Sequence, residues 1–423
     1  MPEERVRDNQ WWYSKSSLRP EVEGKADIVL RIDGRECRMR HAAAGADGRR
    51  TYAFTFLNQY DREHWVAMRG DSVRIELVSG GSPPPSPGPL PRMRPAPASK
   101  LPQLHSPPMF NPISKQAVIR AAIETLFDAY IFLDWSANST PKQGADSLWI
   151  AEGYWDQGQL VVCDPLNPRT REEAMAHLLK RINFYLQAGR RVLLGLDFAY
   201  SYPKGFFGSF QKIVGDRKAL WLELKERIID VNNNSNNRFV VANDLNKQML
   251  QPLFWGKPQR QAYQNLVNLS AGKPNGLGNI NAYRLVEEQL RLKGRRPMSA
   301  FQLYGNGSVG SQVLMGIPRL QQLQAKFADK FLTWPFDTGW CPQFQTMLRD
   351  CVLNCEIWPG VISVENYHPV KDASQMISYV YWAAQEDASG NLCCWFDVPA
   401  RFSDISAADL MSAKQHEGWI LGF

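Results

Sequence analysis

The chain predicts an α/β fold: a mixed sheet with flanking helices and a helical insertion, preceded by a small β-rich module. Three observations carry this. Three strand-like segments, 130–135, 147–155 and 159–164, are followed by an amphipathic helical pattern and then by the near-continuous apolar run 191–198. A stretch with eleven prolines, 82–108, separates this region from an earlier group of alternating segments. The apolar segments 130–135 and 191–198 both run into an aspartate, Asp134 and Asp197.

The elements follow in chain order. Segments 27–32, 51–56 and 72–77 alternate β-branched and aromatic residues with polar ones, and 44–48 and 69–71 carry turn residues between them. That pattern reads as a β-rich module over 1–80. Proline at the density of 82–108 blocks helix and ladder hydrogen bonds and favours extended backbone, which predicts a semi-rigid linker over 81–114. The rest, 115–423, reads as the main domain. The spacing predicts a short amphipathic helix over 118–130. Only Asp156, Gln157 and Gly158 part the second and third strand segments, which fits a hairpin. Thr170 followed by Glu173 is a capping box, so a helix starts at Thr170; Met175, Leu178, Leu179, Ile182 and Leu186 then share one face until Gly189. The apolar run after it reads as a buried parallel strand, reached by a right-handed crossover. A helical insertion is expected at about 215–330. Glu356 is expected to begin a late strand over 356–361, and a helix is expected after Pro369, with Asp372 in its first turn.

Composition narrows the function classes. The chain has 423 residues, 44% hydrophobic and 22% charged, which excludes global disorder. No run of about 18 apolar residues is present and the first residues are polar, so neither a membrane span nor a secretory signal is expected. Seven cysteines, an odd number without a CxxC pair, argue against a disulfide framework or structural zinc and point to reduced cytoplasmic thiols. The formal charge of +7 suits a polyanionic partner or a mildly basic soluble protein.

The acids suggest chemistry. If the strands ending at Asp134 and Asp197 pair in parallel, both carboxylates reach one sheet edge, where α/β proteins collect ligands. Like charges at close range need a cation or a shared proton. Hard oxygen donors favour Mg²⁺ or Mn²⁺, and paired divalent ions are the usual machinery of phosphodiester hydrolysis. Asp at a strand end also serves as a turn residue, so the pattern leaves both readings open. Asp372, at a helix start, is either a dipole-complementing acid or a third ligand.

Several segments resemble a bacterial family of uncharacterised proteins regarded as predicted nucleases with a ribonuclease H-like fold. They are Asp-Trp-Ser-Ala (134–137) with Gly-Ala-Asp-Ser-Leu-Trp (144–149), Gly-Leu-Asp-Phe-Ala-Tyr-Ser-Tyr-Pro (195–203) and Gln-Leu-Tyr-Gly-Asn-Gly-Ser-Val-Gly-Ser-Gln (302–312). Trp-Pro-Phe-Asp-Thr-Gly (334–339), Glu-Ile-Trp-Pro (356–359) with Lys-Asp-Ala (371–373), and the terminal Glu-Gly-Trp-Ile-Leu-Gly (417–422) complete the set. The resemblance spans about 128–423 and leaves the β-rich module uncovered. It implies a ribonuclease H-like sheet and a metal-dependent nuclease with Asp134, Asp197 and Asp372 as catalytic ligands, Glu356 as an auxiliary ligand, and Mg²⁺ or Mn²⁺ as cofactor. Asp337 stands where an acid is expected, as a ligand or as an outer group.

Segment 305–311 is glycine-rich and reads as a tight loop beside the acidic edge; it lacks the GK[ST] ending of a P-loop. Lys142, Lys204 and Arg284 are candidate phosphate contacts or ordinary surface charges. Tyr202, with Tyr200, Phe206 and Phe207, stacks bases or packs a loop. Segment 232–237 is a polar loop without evident chemistry. The expected partners are nucleic acid and, through the β-rich module, another protein; no membrane is expected. Two other functions fit the same pattern: an ATP-using enzyme of the actin or sugar-kinase type, and a non-catalytic adaptor. Asp134 is not followed by the glycine-rich phosphate hairpin of the former.

Overall fold

A computed structural model describes residues 124–209, 217–258, 262–268, 280–342 and 350–423, together with six short strands before residue 81. The chain divides into two units, Met1–Ser99 and Lys100–Phe423. In the first unit the strands are β1 (Val6–Arg7), β2 (Gln10–Trp12), β3 (Asp27–Ile32), β4 (Arg35–His41), β5 (Ala53–Phe56) and β6 (Ile75–Gly80). They form an antiparallel sheet in the order β1-β2-β5-β4-β3-β6. The proline-rich stretch 82–108 lies outside the described residues.

The second unit is an α/β assembly on a six-stranded mixed sheet. Its strands are β7 (Ala129–Asp134), β8 (Trp149–Asp156), β9 (Gln159–Val162), β10 (Val192–Asp197), β11 (Phe331–Thr333) and β12 (Val352–Glu356), in the order β11-β12-β10-β7-β8-β9. β7, β8 and β9 are antiparallel neighbours; β10 runs parallel to both β7 and β12, and β11 parallel to β12. Between β8 and β9 the two-residue loop places Gln157 at φ 46° and Gly158 at φ 76°. Two successive positive φ values are what a hairpin turn matched to strand twist requires, and Gly158 meets its half without strain.

The expected helix over 118–130 is not seen in its described part. Residues 124–128 are irregular and β7 begins at Ala129. The apolar positions there serve a strand and its lead-in: the Leu126 and Phe127 amides donate to Asp387 Oδ1 and Oδ2 at 2.7 and 3.0 Å.

Helix α1 (Arg171–Gln187) is capped by Thr170, whose side chain accepts from the Glu173 amide at 3.2 Å. Its apolar face packs Leu178, Ile182 and Tyr185 against Ala129, Ile131 and Leu133 of β7 and Leu194 of β10. The same face carries α2 (Arg217–Arg227), α3 (Arg238–Gln248) and α5 (Gly310–Phe327), which lie in the chain between β10 and β11 along with α4 (Leu285–Leu292). On the other face α6 (Lys371–Ala388) lays Met376, Ile377 and Val380 over Tyr130 and Phe132 of β7 and Leu193 of β10. The period-2 alternation of the strands thus sorts odd and even residues of β7 into two separate cores. Among the described residues no helix is long and apolar enough to cross a membrane.

Candidate functional site

β7 is apolar and buried until its last residue, Asp134, and β10 until Asp197. The strands are parallel neighbours at the centre of the sheet, and Asp134 pairs in register with Asp197. Adjacent strands lie about 4.8 Å apart, and equal register sends both side chains to one face. Because Tyr130, Phe132 and Leu193 enter the α6 core, alternation puts both aspartates on the α6 side. There α6 begins, with Asp372 in its first turn. Asp372 Oδ2 accepts a hydrogen bond from the Asp146 amide at 2.7 Å. Asp146 holds φ at 51°, a left-handed conformation that aspartate tolerates better than most side chains.

These acids perturb one another. Burial, followed by the charges of Asp197, Asp372 and Asp146, holds the Asp134 carboxyl well above the usual carboxylate range. Burial, then Glu356 and Asp372, pushes Asp197 up to about 8. No hydrogen bond or cation among the described residues offsets either shift. Two adjacent carboxylates without donors are unfavourable as a pair of anions. Oxygen-rich, undonated and crowded, they suit a hard divalent ion. The three acids converge without forming a closed shell: among the described residues no three His, Cys, Asp or Glu stand together as a metal cluster.

Glu356 departs from expectation. It ends β12 rather than beginning a strand, since residues from Pro359 to Val361 turn as a short 3₁₀ helix. Its register partner is Leu196, one residue short of Asp197, and Glu356 lines the same small hollow as Asp197, whose carboxyl its charge raises. Its oxygens are already engaged. Arg284 Nη1 donates to Oε2 at 2.7 Å and Nη2 to Oε1 at 2.5 Å, and the Tyr200 amide reaches Oε2 at 3.2 Å. Glu356 is thus a donated, charge-paired carboxylate, unlike Asp134 and Asp197.

The same geometry corrects Arg284. It is 1% exposed and pairs with both Glu356 and Glu287, so it is an interior counter-ion and not a phosphate contact. Tyr202 is likewise interior. It stacks on Phe206 and Phe301 at 4.4 and 5.2 Å, with Phe254 edge-on, leaving no ring face for a base. Lys204 is exposed and pairs with Asp409 at 3.5 Å, while its amide donates to Glu417. Lys142 is half-exposed, 3.7 Å from Asp146. Asp337 caps β11 by accepting from the Thr333 amide at 2.9 Å and pairs with Arg217.

Around the acids lies a cleft of about 920 Å³. Asp134, Asp146 and Asp372 line it together with Arg238, the loop Gln302–Asn306 and the start of α5. The glycine-rich segment therefore does lie beside the acidic edge. A Cβ on Gly310 would stand 2.6 Å from the Ala300 and Gln302 carbonyls, so glycine lets the helix start there. Asp197 instead lines a smaller hollow with Glu356, Arg284 and Gln312.

The polar loop 232–237 has a structural role. Asn234, at φ 67°, accepts from the Arg171 amide at 2.9 Å. The Arg171 guanidinium is paired with Asp230 and donates to the Ser136 and Asn138 carbonyls at 3.0 and 2.8 Å. It thereby fixes the chain that leaves Asp134. Asp146, Arg238 and Gln312 escaped sequence reasoning. Asp146 and Gln312 each sat within a quoted motif and could have been found there; Arg238 carries no local signal, because tertiary packing of α3 brings it to the cleft. Comparison with known proteins finds no matching family model, no matching curated protein and no matching solved structure.

Proposed function

We propose that the second unit is a metal-dependent nuclease of the ribonuclease H-like type. The observation that carries this reading is the in-register Asp134–Asp197 pair, undonated, at the carboxyl edge of two central parallel strands, with Asp372 reaching the same edge from α6. Three antiparallel strands, a crossover helix and a parallel fourth strand beside the first support the same reading.

Asp134, Asp197 and Asp372 would hold Mg²⁺ or Mn²⁺, which supplies water activation and charge neutralisation at a phosphodiester. The rest is done by the chain. Asp197, pushed up to about 8, holds its proton near neutrality in the metal-free site. Arg284 engages Glu356, so the neighbouring carboxylate does not compete for the ion. Arg171 holds the Ser136–Asn138 wall in place. Lys142, 3.7 Å from the cleft-lining Asp146, would meet the nucleic-acid backbone. The β-rich N-terminal module would recruit a protein partner.

The test is a cleavage panel of single- and double-stranded DNA, RNA and hybrids with Mg²⁺, Mn²⁺ or EDTA. Metal-dependent cleavage, lost in Asp134→Asn, is expected. A folded wild type that cleaves none of them overturns the reading.

A further inference from the structure

Arg238 opens α3 and lines the cleft whose other wall carries Asp134 and Asp372. Its partners are all neutral. Nε donates to Ser311 Oγ at 2.9 Å, and Nη1 donates to Ser139 Oγ at 2.8 Å and to Asn236 Oδ1 at 2.7 Å. Arg171, Arg217, Arg284 and Arg319 each meet a carboxylate, whereas Arg238 meets none among the described residues. A largely buried guanidinium without a contacting carboxylate is unfavourable, and here Arg171 adds repulsion that the more distant charge of Asp230 offsets only in part. An anion in the cleft would relieve both.

A second donor group adjoins it. Ser311, on which Arg238 rests, lies in the first turn of the eighteen-residue helix α5. Val309 caps that helix without a side-chain hydrogen bond; the Gly310 amide donates to the Gln302 carbonyl at 2.8 Å, which leaves the Ser311 and Gln312 amides without a cap acceptor. The cleft is therefore bipolar: carboxylates on one wall, a guanidinium with a helix start on the other. Carboxylates alone would suit a bare cation. A cation wall opposite them suits a ligand that is itself anionic and that meets the metal-holding acids at another atom.

We propose that Arg238 is a positioning residue that binds a backbone phosphate of the nucleic-acid strand, holding the strand across the cleft while the acids act on it. This rests on the nuclease reading. The fork of donors fixes a phosphate in orientation as well as by charge, which lysine does not do.

The test measures binding of a fluorescein-labelled single-stranded oligonucleotide in Ca²⁺ across a salt series, for wild type, Arg238→Gln and Arg238→Lys. A parallel set of melts compares inorganic phosphate with chloride at equal ionic strength. Arg238→Gln is expected to bind about tenfold more weakly, with the log–log salt slope shallower by roughly 0.7, the value for one single-strand phosphate. KM should rise far more than kcat falls, and phosphate should raise the melting temperature of wild type only. Arg238→Lys should keep the slope but lose affinity, and it decides the matter if Arg238→Gln does not fold. A wild type that cleaves while the variants bind with its affinity and slope overturns the inference and leaves the nuclease reading standing. A wild type that binds no oligonucleotide overturns both, whatever phosphate does to the melts.

Discussion

Replacing Asp197 by asparagine should stabilise the metal-free protein at alkaline pH. Asp197 rises from an ordinary value of 3.8 to about 8 because it is buried beside Glu356 and Asp372. The folded state therefore keeps a proton that the unfolded chain sheds, and stability falls as pH climbs from about 4 to about 8. At about 1.36 kcal/mol per unit, the full cost above that window is on the order of 5 kcal/mol. Water at the partly exposed strand end screens about half of this. For a unit of this size that corresponds to a gain of roughly 5 °C in Tm for Asp197→Asn at pH 8.5, shrinking to nothing near pH 4. Asparagine is nearly isosteric and carries no charge, so the variant removes the titration without opening a cavity. Mg²⁺ should narrow the gap from the other side. Bound at a hundred times its Kd, it stabilises wild type by about 2.7 kcal/mol, and the variant should lose most of that gain. The assay is a melt series from pH 4.5 to 8.5 with and without Mg²⁺. Superimposed pH profiles and equal metal responses would refute the reasoning, because they would show that the two carboxylates do not share a crowded edge.

Asp134→Asn should abolish metal-dependent cleavage while leaving the far-UV spectrum unchanged, as checked by the cleavage panel beside circular dichroism. Arg284→Met should destabilise by about 3–5 kcal/mol, since it strands Glu356 and Glu287 as buried charges; Glu356→Gln should cost clearly less in the same denaturant titration. Gly316→Ala should cost about 1–3 kcal/mol, because its Cβ would stand 2.6 Å from the Phe198 ring under α5; an unchanged Tm would show that this helix can slide.

The parts of this fold that were legible are those with local causes. Alternation and apolar runs located β7, β8, β9 and β10, the capping box located α1, and Gly158 marked the hairpin. The acids at Asp134 and Asp197 were legible because each ends a run that has to be buried, and parallel pairing then brings run ends together. The helix expected over 118–130 shows the opposite case. Its apolar residues had helical spacing, but Leu126 and Phe127 are held by Asp387, more than 250 residues away, and no local pattern records that bond.

Charge is where sequence reasoning failed most, and the physical cause is the same at each site. Arginine type says nothing about location. Arg284 looked like a surface cation, yet it is buried because Glu356, 72 residues on, and Glu287 supply its counter-charge. Arg238 looked like nothing, yet it is the guanidinium whose own neighbours leave its charge unmatched. A buried ion is tolerated only where its partner is. Arg284 and Glu356 therefore neutralise each other in the interior. What remains unmatched is Asp134 in the cleft, with its register partner Asp197 in the smaller hollow, and Arg238 in the same cleft as Asp134; the proposed substrate is the ligand whose own charges answer both signs.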